Sequence, residues 1–150
     1  MRDRYRVAVY VFDGRPGTTR VLCFDHADFP EAGTQIPAGG VSAAETLEAA
    51  AAREVLEETG IQIVDLRALA VQVIEDHDRE VRKVTVFITA RARDFPADRW
   101  RHVVPPHEGE DSGMIFDCFF LEVDDAATAL QIDRQAEFLG LVPADWPSGL

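Results

Sequence analysis

Residues 39–61 read GGVSAAETLEAAAAREVLEETGI, and this stretch decides the central element of the fold. Its second half, residues 46–59, contains no glycine or proline and includes four consecutive alanines, the residue with the highest helix propensity. Gly60 follows directly and suits the left-handed backbone conformation that ends many helices. The pattern therefore predicts a helix over residues 46–59.

The start of this helix has two interpretations. Ser42 followed three residues later by Glu45 matches a capping box, in which the two residues satisfy each other's backbone N–H groups. Thr46 is itself an acceptable N-cap, because its hydroxyl oxygen can accept a hydrogen bond from the first helical turn. Composition alone leaves both starts open.

The segments around the helix alternate between strand-like and turn-like composition. Turn formers in residues 13–17 lie between the first and second predicted strands, and those in residues 76–79 lie between the third and fourth. Each pair of strands is therefore predicted to form a hairpin. The predicted strands are residues 5–12, 19–24, 71–75, 81–90 and 115–123. Strands on both sides of a mid-chain helix indicate an α/β (α+β) sandwich, and 150 residues fit a single domain spanning residues 1–150.

The last third of the chain is less regular. Residues 94–113 contain three prolines and two glycines, which predicts a long loop of the kind that often carries function. Residues 124–139 have helical composition with a division near Ile132. We expect Pro143 and Pro147 to end that helical region.

Charge and cysteine content narrow the classes of partner and compartment. Fifteen Lys and Arg against 27 Asp and Glu give a formal net charge of −12, which excludes a nucleic-acid partner held by broad phosphate neutralisation. A small phosphorylated ligand is still compatible if a divalent cation lies between it and carboxylates. Cys23 and Cys118 lie in apolar stretches and show no disulfide or zinc spacing. Without a signal peptide or membrane span, the sequence predicts a cytoplasmic protein with no membrane partner.

Three glutamates of the predicted helix carry the chemical signal. Glu54, Glu57 and Glu58 stand at offsets of three and four, so their side chains fall within an arc of about 100° on one helix face. Like charges at that spacing destabilise a helix unless the face is solvated or a cation neutralises it. Arg53 can orient the carboxylates, and clustered hard oxygen donors favour Mg²⁺ or Mn²⁺.

Nine fixed or restricted positions in residues 39–61 complete a longer pattern, G-x5-E-x7-R-E-U-x-E-E-x-G-U, where U is a bulky aliphatic residue. The pattern resembles the signature of the Nudix hydrolases at every specified position. The resemblance implies that family's α/β/α sandwich, with a mixed β-sheet and a loop–helix–loop catalytic motif. It also places Glu45 in the loop before the helix, which favours Thr46 as the N-cap.

The resemblance further implies site residues and a reaction. The implied metal ligands are Glu54, Glu57, Glu58 and the carbonyl of Gly39. Arg53 and Glu45 become the pair that orients the carboxylates. The implied enzyme is a Mg²⁺- or Mn²⁺-dependent pyrophosphohydrolase that attacks a phosphoanhydride with water, using a nucleoside diphosphate linked to another moiety or another small diphosphate.

The general base and the substrate contacts are weaker predictions. Glu57 or Glu58 can act as base, and so can a carboxylate of the late loop, namely Glu108, Glu110 or Asp111, of which Glu110 is the first to test. That acidic loop is equally compatible with simple solvation. The candidate substrate-binding residues, each of which also fits ordinary packing or exposure, are Arg4, Arg6, Trp100 and His102.

Two other functions on the same fold stay open at this point. One is a module that senses a nucleotide without hydrolysing it. The other is a prenyl diphosphate isomerase, which would need Cys23 or Cys118 in the pocket. No proline falls between Gly60 and Phe95, which disfavours the ADP-ribose-specific branch of the resembled family. Dimers are common in that family, so a homodimer is a further expectation.

Overall fold

The computed structural model describes residues 1–17 and 19–142, and its centre is a seven-stranded mixed sheet with helices on both faces. The strands are β1 (Arg2–Phe12), β2 (Arg20–His26), β3 (Ala38–Gly40), β4 (Ile63–Asp76), β5 (Val81–Ala92), β6 (Arg99–Val103) and β7 (Ile115–Glu122). The helices are α1 (Leu47–Thr59) and α2 (Val123–Ala129), with short 3-10 turns at Pro30–Ala32, Ile132–Arg134 and Leu139–Leu141. The architecture is the α/β/α sandwich that the sequence predicts.

β1 organises the sheet because both of its edges are used. The strand order is β4-β5-β1-β2-β7-β6, and β1 runs parallel to β5 along its whole length. On its other edge, β3 pairs antiparallel with the middle of β1 and β2 pairs with its end. β3 therefore inserts a short, glycine-rich strand beside the middle of β1, next to the helix that follows it.

Helix α1 has the boundaries that its sequence predicts. The Thr46 hydroxyl accepts a hydrogen bond from the Ala49 N–H at 3.1 Å, and Gly60 ends the helix in the left-handed region with φ 78°. Thr46 is thus the N-cap. Half of the capping box also exists, since the Ser42 N–H donates to Glu45 Oε1 at 3.0 Å, but both residues precede the helix.

Two apolar clusters fill the layers on either side of the sheet. Under α1, small residues such as Ala50 and Ala51 let the helix pack closely on Val7, Val9 and neighbouring strand residues. On the opposite face, α2 and the residues after it cover a second cluster that includes Tyr10, Phe12 and Phe87. In residues 1–17 and 19–142, no helix has the length and apolar character needed to cross a membrane.

Two predicted segments differ from the structure. The predicted loop of residues 94–113 contains β6, which pairs with β7 and so becomes an edge strand of the sheet. The predicted helical region of residues 124–139 is a regular helix only as far as Ala129, because Leu130 leaves the helical region with ψ 75°. Positive φ angles of 50° and 52° at Asp133 and Arg134 also interrupt the rest of the region. Pro143 and Pro147, the predicted end of that region, lie outside the described residues.

Candidate active site

Gly39 is a glycine because the Glu54 carboxylate packs directly against its α-carbon. A Cβ built at residue 39 would lie 2.2 Å from Glu54 Cδ and Oε1, closer than any side chain tolerates. β3 pairs Gly39 with Val7 of β1, and α1 passes above this position. The strand and the helix are therefore in contact at this point through a glycine on one side and a carboxylate on the other.

Arg53 ties the loop before α1 to the glutamates of the helix. Its Nε and Nη2 donate to both carboxylate oxygens of Glu45, at 2.8 and 2.9 Å. Nη1 donates to Glu54 Oε1 at 2.8 Å, and Nη2 also reaches the Gly40 carbonyl at 2.9 Å. The hydrogen bonds from Arg53 lower the pKa of Glu45 to about 2, so this pair stays ionised in ordinary buffers. One planar guanidinium thus fixes the orientation of two carboxylates and of the β3 backbone.

Three carboxylates converge beside this network. One oxygen from each of Glu54, Glu58 and Asp111 lies within 4.8 Å of the other two, and Glu54 and Glu58 are each only 7% exposed. Burial raises the pKa of Glu54 above its ordinary value, although Arg53 opposes the rise. Burial and the Glu54 carboxylate raise the pKa of Glu58 further still. Three anions at this separation, two of them buried, repel one another, so the ionised cluster is well suited to a cation.

Glu58 and Glu57 differ in how they face the site. Glu58 accepts a hydrogen bond from the Ala38 N–H at 2.9 Å, so β3 holds its carboxylate in place. Glu57 lines the same pocket outside the three-carboxylate cluster, with its Oε2 3.5 Å from Arg53 Nη1 and its side chain 23% exposed. The four predicted metal ligands therefore share one pocket, and Glu57 is the glutamate among them that solvent reaches most easily.

Asp111 enters the cluster through a folded loop between β6 and β7. The His107 ring bridges this loop, because its Nδ1 accepts from the Gly109 N–H at 2.8 Å and its Nε2 lies 2.7 Å from Asp111 Oδ1. Glu108 and Glu110 line the pocket, but the loop turns Asp111 and not Glu110 towards Glu54 and Glu58.

The site lies in an open pocket of about 730 Å³, and part of the pocket wall is basic. Arg4 and Arg6, both predicted as substrate-binding residues, line this wall. Lys83 and Arg79 line it as well and were missed by the sequence analysis. Lys83 is the only lysine of the chain, and its place next to Arg4 follows from the parallel pairing of β1 with β5. The sequence shows that Lys83 is the only lysine, but only the pairing of β1 with β5 shows that it lies beside Arg4.

The structure places Trp100 and His102 elsewhere, at the C-terminal end of α1. The Trp100 indole N–H donates to the Thr59 carbonyl at 2.8 Å, and His102 Nε2 lies 2.8 Å from the Glu57 carbonyl. Both β6 side chains therefore bind backbone oxygens of the last helical turn and attach the β6–β7 hairpin to α1. Neither residue is among the described residues that line the pocket.

The two cysteines are buried on opposite faces of the sheet. Cys23 belongs to the cluster under α2, and Cys118 to the cluster under α1. Burial raises the pKa of each thiol to about 12, so neither supplies a thiolate near neutral pH. Neither is among the described residues of the pocket, which removes the structural basis for the isomerase alternative.

Known proteins share this sequence pattern and this fold. A family model described as NUDIX domain matches residues 2–141. Comparison with curated proteins finds no match. A solved NUDIX hydrolase from Nitrosomonas europaea is similar at 15% identity and a TM-score of 0.66, covering 93% of this chain and 87% of that one. A MutT NUDIX hydrolase from Burkholderia pseudomallei is similar at 23% identity and a TM-score of 0.66, covering 95% of this chain and 100% of that one.

Proposed function

Because the chain belongs to the Nudix family and is a Nudix hydrolase, we propose that it is a divalent-metal-dependent pyrophosphohydrolase. Its substrate is a small molecule with a phosphoanhydride bond, a nucleoside diphosphate linked to another moiety or another diphosphate, and the reaction is attack of water at phosphorus. We place the enzyme in the cytoplasm as a single domain, which the two buried, unpaired cysteines support.

One observation carries this proposal, the convergence of Glu54, Glu58 and Asp111 within 4.8 Å. All the donors are carboxylate oxygens, which suit Mg²⁺ or Mn²⁺ better than softer metals. The raised pKa values of Glu54 and Glu58 express the free-energy cost of keeping these two carboxylates ionised without a counter-charge. The residues present therefore fit a divalent cation, with Glu57 and Gly39 completing the set of candidate ligands.

When bound, the divalent cation supplies positive charge to the phosphate oxygens and lowers the pKa of a coordinated water. The chain's own residues do the rest. Arg53 and Glu45 hold the Glu54 carboxylate in one orientation, and Ala38 does the same for Glu58. Glu57, the more exposed carboxylate, takes the proton of the attacking water. Asp111 is the loop carboxylate that we assign to the site in place of Glu110.

The basic wall gives the substrate a second point of attachment. Arg6 lies close enough to Glu58 to lower the pKa of that carboxyl, and it lines the same pocket. A guanidinium there can bind a phosphate oxygen that projects from the carboxylate cluster. Arg4, two residues earlier on the same strand face, extends this contact. Trp100 and His102 are not part of the proposal, because their ring nitrogens already bind α1.

The test is phosphate release from a panel of diphosphate compounds, measured with and without added inorganic pyrophosphatase, first in Mg²⁺ and then in Mn²⁺. We expect turnover that EDTA abolishes. Glu57→Gln should lower kcat by about 10²–10⁴-fold, the usual contribution of a general base, while circular dichroism shows an intact fold. Glu48→Gln is the matched control, because Glu48 is exposed on the first turn of the same helix and outside the pocket.

Two results would contradict the proposal. Near-normal activity of Glu57→Gln would remove Glu57 from the catalytic machinery. Failure to hydrolyse any compound, with metal binding confirmed by calorimetry, would favour the non-catalytic sensing module instead.

A further inference from the structure

The basic wall of the pocket is a row of side chains on one face of the sheet. Arg4 and Arg6 alternate along β1 and therefore point to the same face. β5 runs parallel beside them and places Lys83 directly next to Arg4 and Thr85 next to Arg6. Adjacent strands lie about 4.8 Å apart and alternate residues about 6.6 Å apart, so the charges form a compact patch. Arg79, from the turn before β5, borders the same pocket.

The charges of this wall are weakly neutralised although the protein carries a net charge of −12. In residues 1–17 and 19–142, no carboxylate forms an ion pair with Arg4 or Arg6. Lys83 lies 3.5 Å from the half-exposed Asp133, and Arg79 lies 3.8 Å from Asp76 with a largely exposed guanidinium. Exposed pairs of this length contribute little. The wall therefore keeps its attraction for an anion.

The pocket offers little to a nucleobase. Among the described residues that line it there is no Phe, Tyr or Trp, the side chains on which bases usually stack. Tyr5 lies between Arg4 and Arg6 in sequence, but strand alternation turns it to the opposite face. Most of the lining is charged or polar, in contrast to the largely apolar pockets that hold aromatic ligands.

From this wall we infer that the enzyme selects a diphosphate compound whose distal part carries at least one further phosphate and no required aromatic group. This inference rests on the proposed function and names its substrate class. The carboxylate cluster would hold the cation that binds the hydrolysed diphosphate. Arg6 lies between this cluster and the rest of the basic wall. Arg4, Lys83 and Arg79 bind the distal phosphate. A polyphosphate chain and a phosphorylated sugar share this chemistry.

The experiment compares kcat/KM for two groups of probes. Inorganic tetraphosphate, a chain, and 5-phosphoribosyl 1-diphosphate, a phosphorylated sugar, carry distal phosphate. ADP-glucose and geranyl diphosphate have distal groups without phosphate. We expect kcat/KM to be at least about 10-fold higher for the first group, since one charge-assisted contact is worth roughly that factor. The two members of the first group distinguish a chain from a sugar as the natural source.

Substitutions in the basic wall test whether its side chains cause the selectivity. In Lys83→Gln and in Arg4→Gln, the ratio of kcat/KM between the two groups should fall about 10-fold. Arg2→Gln is the matched control, because Arg2 lies on the same strand and is absent from the described pocket lining. Its ratio should equal that of the unmodified protein. Two results would overturn the inference. One is a kcat/KM ratio between the two groups near 1 in the unmodified protein. The other is a ratio that stays within twofold of the unmodified value in both Lys83→Gln and Arg4→Gln.

Failure of the proposed function gives a different result. If no probe is hydrolysed, the same four compounds are titrated into the unmodified protein and Lys83→Gln by calorimetry in Mg²⁺. Tighter binding of the first group, lost in Lys83→Gln, supports the selectivity of the wall even though the hydrolase assignment fails. Equal binding of both groups refutes the selectivity as well.

Discussion

The substitution Gly39→Ala displaces one carboxylate of the site without touching its charge. The added Cβ would lie 2.2 Å from Glu54 Cδ and Oε1, whereas ordinary contacts begin near 3.4 Å. The carboxylate must therefore move by 3.4 − 2.2 = 1.2 Å. Because it is the free end of a flexible side chain, we expect it to swing aside while the strand and helix keep their places.

We expect Gly39→Ala to lower the activity of the enzyme more than its stability. A displacement of about 1 Å in a catalytic group commonly costs roughly 100-fold in rate, which corresponds to about 2.7 kcal/mol of transition-state stabilisation. We therefore expect kcat/KM for the best panel substrate to fall about 100-fold in Gly39→Ala. Mn²⁺ affinity, measured by calorimetry, should weaken in parallel because Glu54 leaves the three-carboxylate cluster. The melting temperature should change by only a few degrees.

Gly40→Ala is the matched control for this prediction. Gly40 is the next residue of the same strand, and an added Cβ there meets nothing within 4 Å. Its carbonyl, which Arg53 binds, is unchanged by the substitution. We expect its kcat/KM within threefold of the unmodified protein. Equal activity of the two variants, both folded, would refute the claim that contact with Gly39 sets the position of Glu54.

Three further predictions concern other parts of the site. Glu58→Gln should abolish turnover yet raise the melting temperature of the EDTA-treated protein at pH 7.5 by about 2–4 °C, the shift that ~1 kcal/mol gives at this size. The sign follows from the raised pKa of Glu58: the contribution of Glu58 to metal-free stability is greatest below the unfolded-state pKa and is lost as pH rises through the folded-state pKa, and a neutral amide avoids that loss. Asp111→Asn should lower kcat/KM more than Glu110→Gln, and the reverse order would restore Glu110 as the loop carboxylate. Trp100→Phe should cost about 1–2 kcal/mol in urea unfolding by removing its bond to Thr59, with KM unchanged.

Local sequence was sufficient for helix α1. Its end at Gly60 and its glutamate face depend on contacts within a few residues, which propensity and capping chemistry describe well, whereas the choice of Thr46 as N-cap came from the resemblance to a known signature. The resemblance of residues 39–61 to a known signature implied a metal-ligand carbonyl at Gly39, and the structure gives a separate reason for a glycine there, a carboxylate packed on its α-carbon.

Errors in the prediction arose where long-range pairing overrides composition. β6 lies in a segment with three prolines that reads as a loop, and it is a strand because β7 offers it an edge. Trp100 and His102 were candidates for the substrate because both ring types bind ligands. Their partners are the carbonyls of Thr59 and Glu57, more than 40 residues earlier in the chain.

Local residue spacing predicted helix α1 and its face of clustered glutamates, because helix propensity and periodicity depend on neighbouring residues, and the family resemblance implied the α/β/α sandwich. Long-range contacts, in contrast, establish which loop carboxylate joins Glu54 and Glu58 and bring Lys83 beside Arg4 in the basic wall. Asp111 and Glu110 are adjacent in sequence, and the folding of the loop, in which His107 Nε2 lies 2.7 Å from Asp111 Oδ1, turns Asp111 towards the cluster. Contacts of this kind depend on sheet register and loop folding, which residue spacing does not encode.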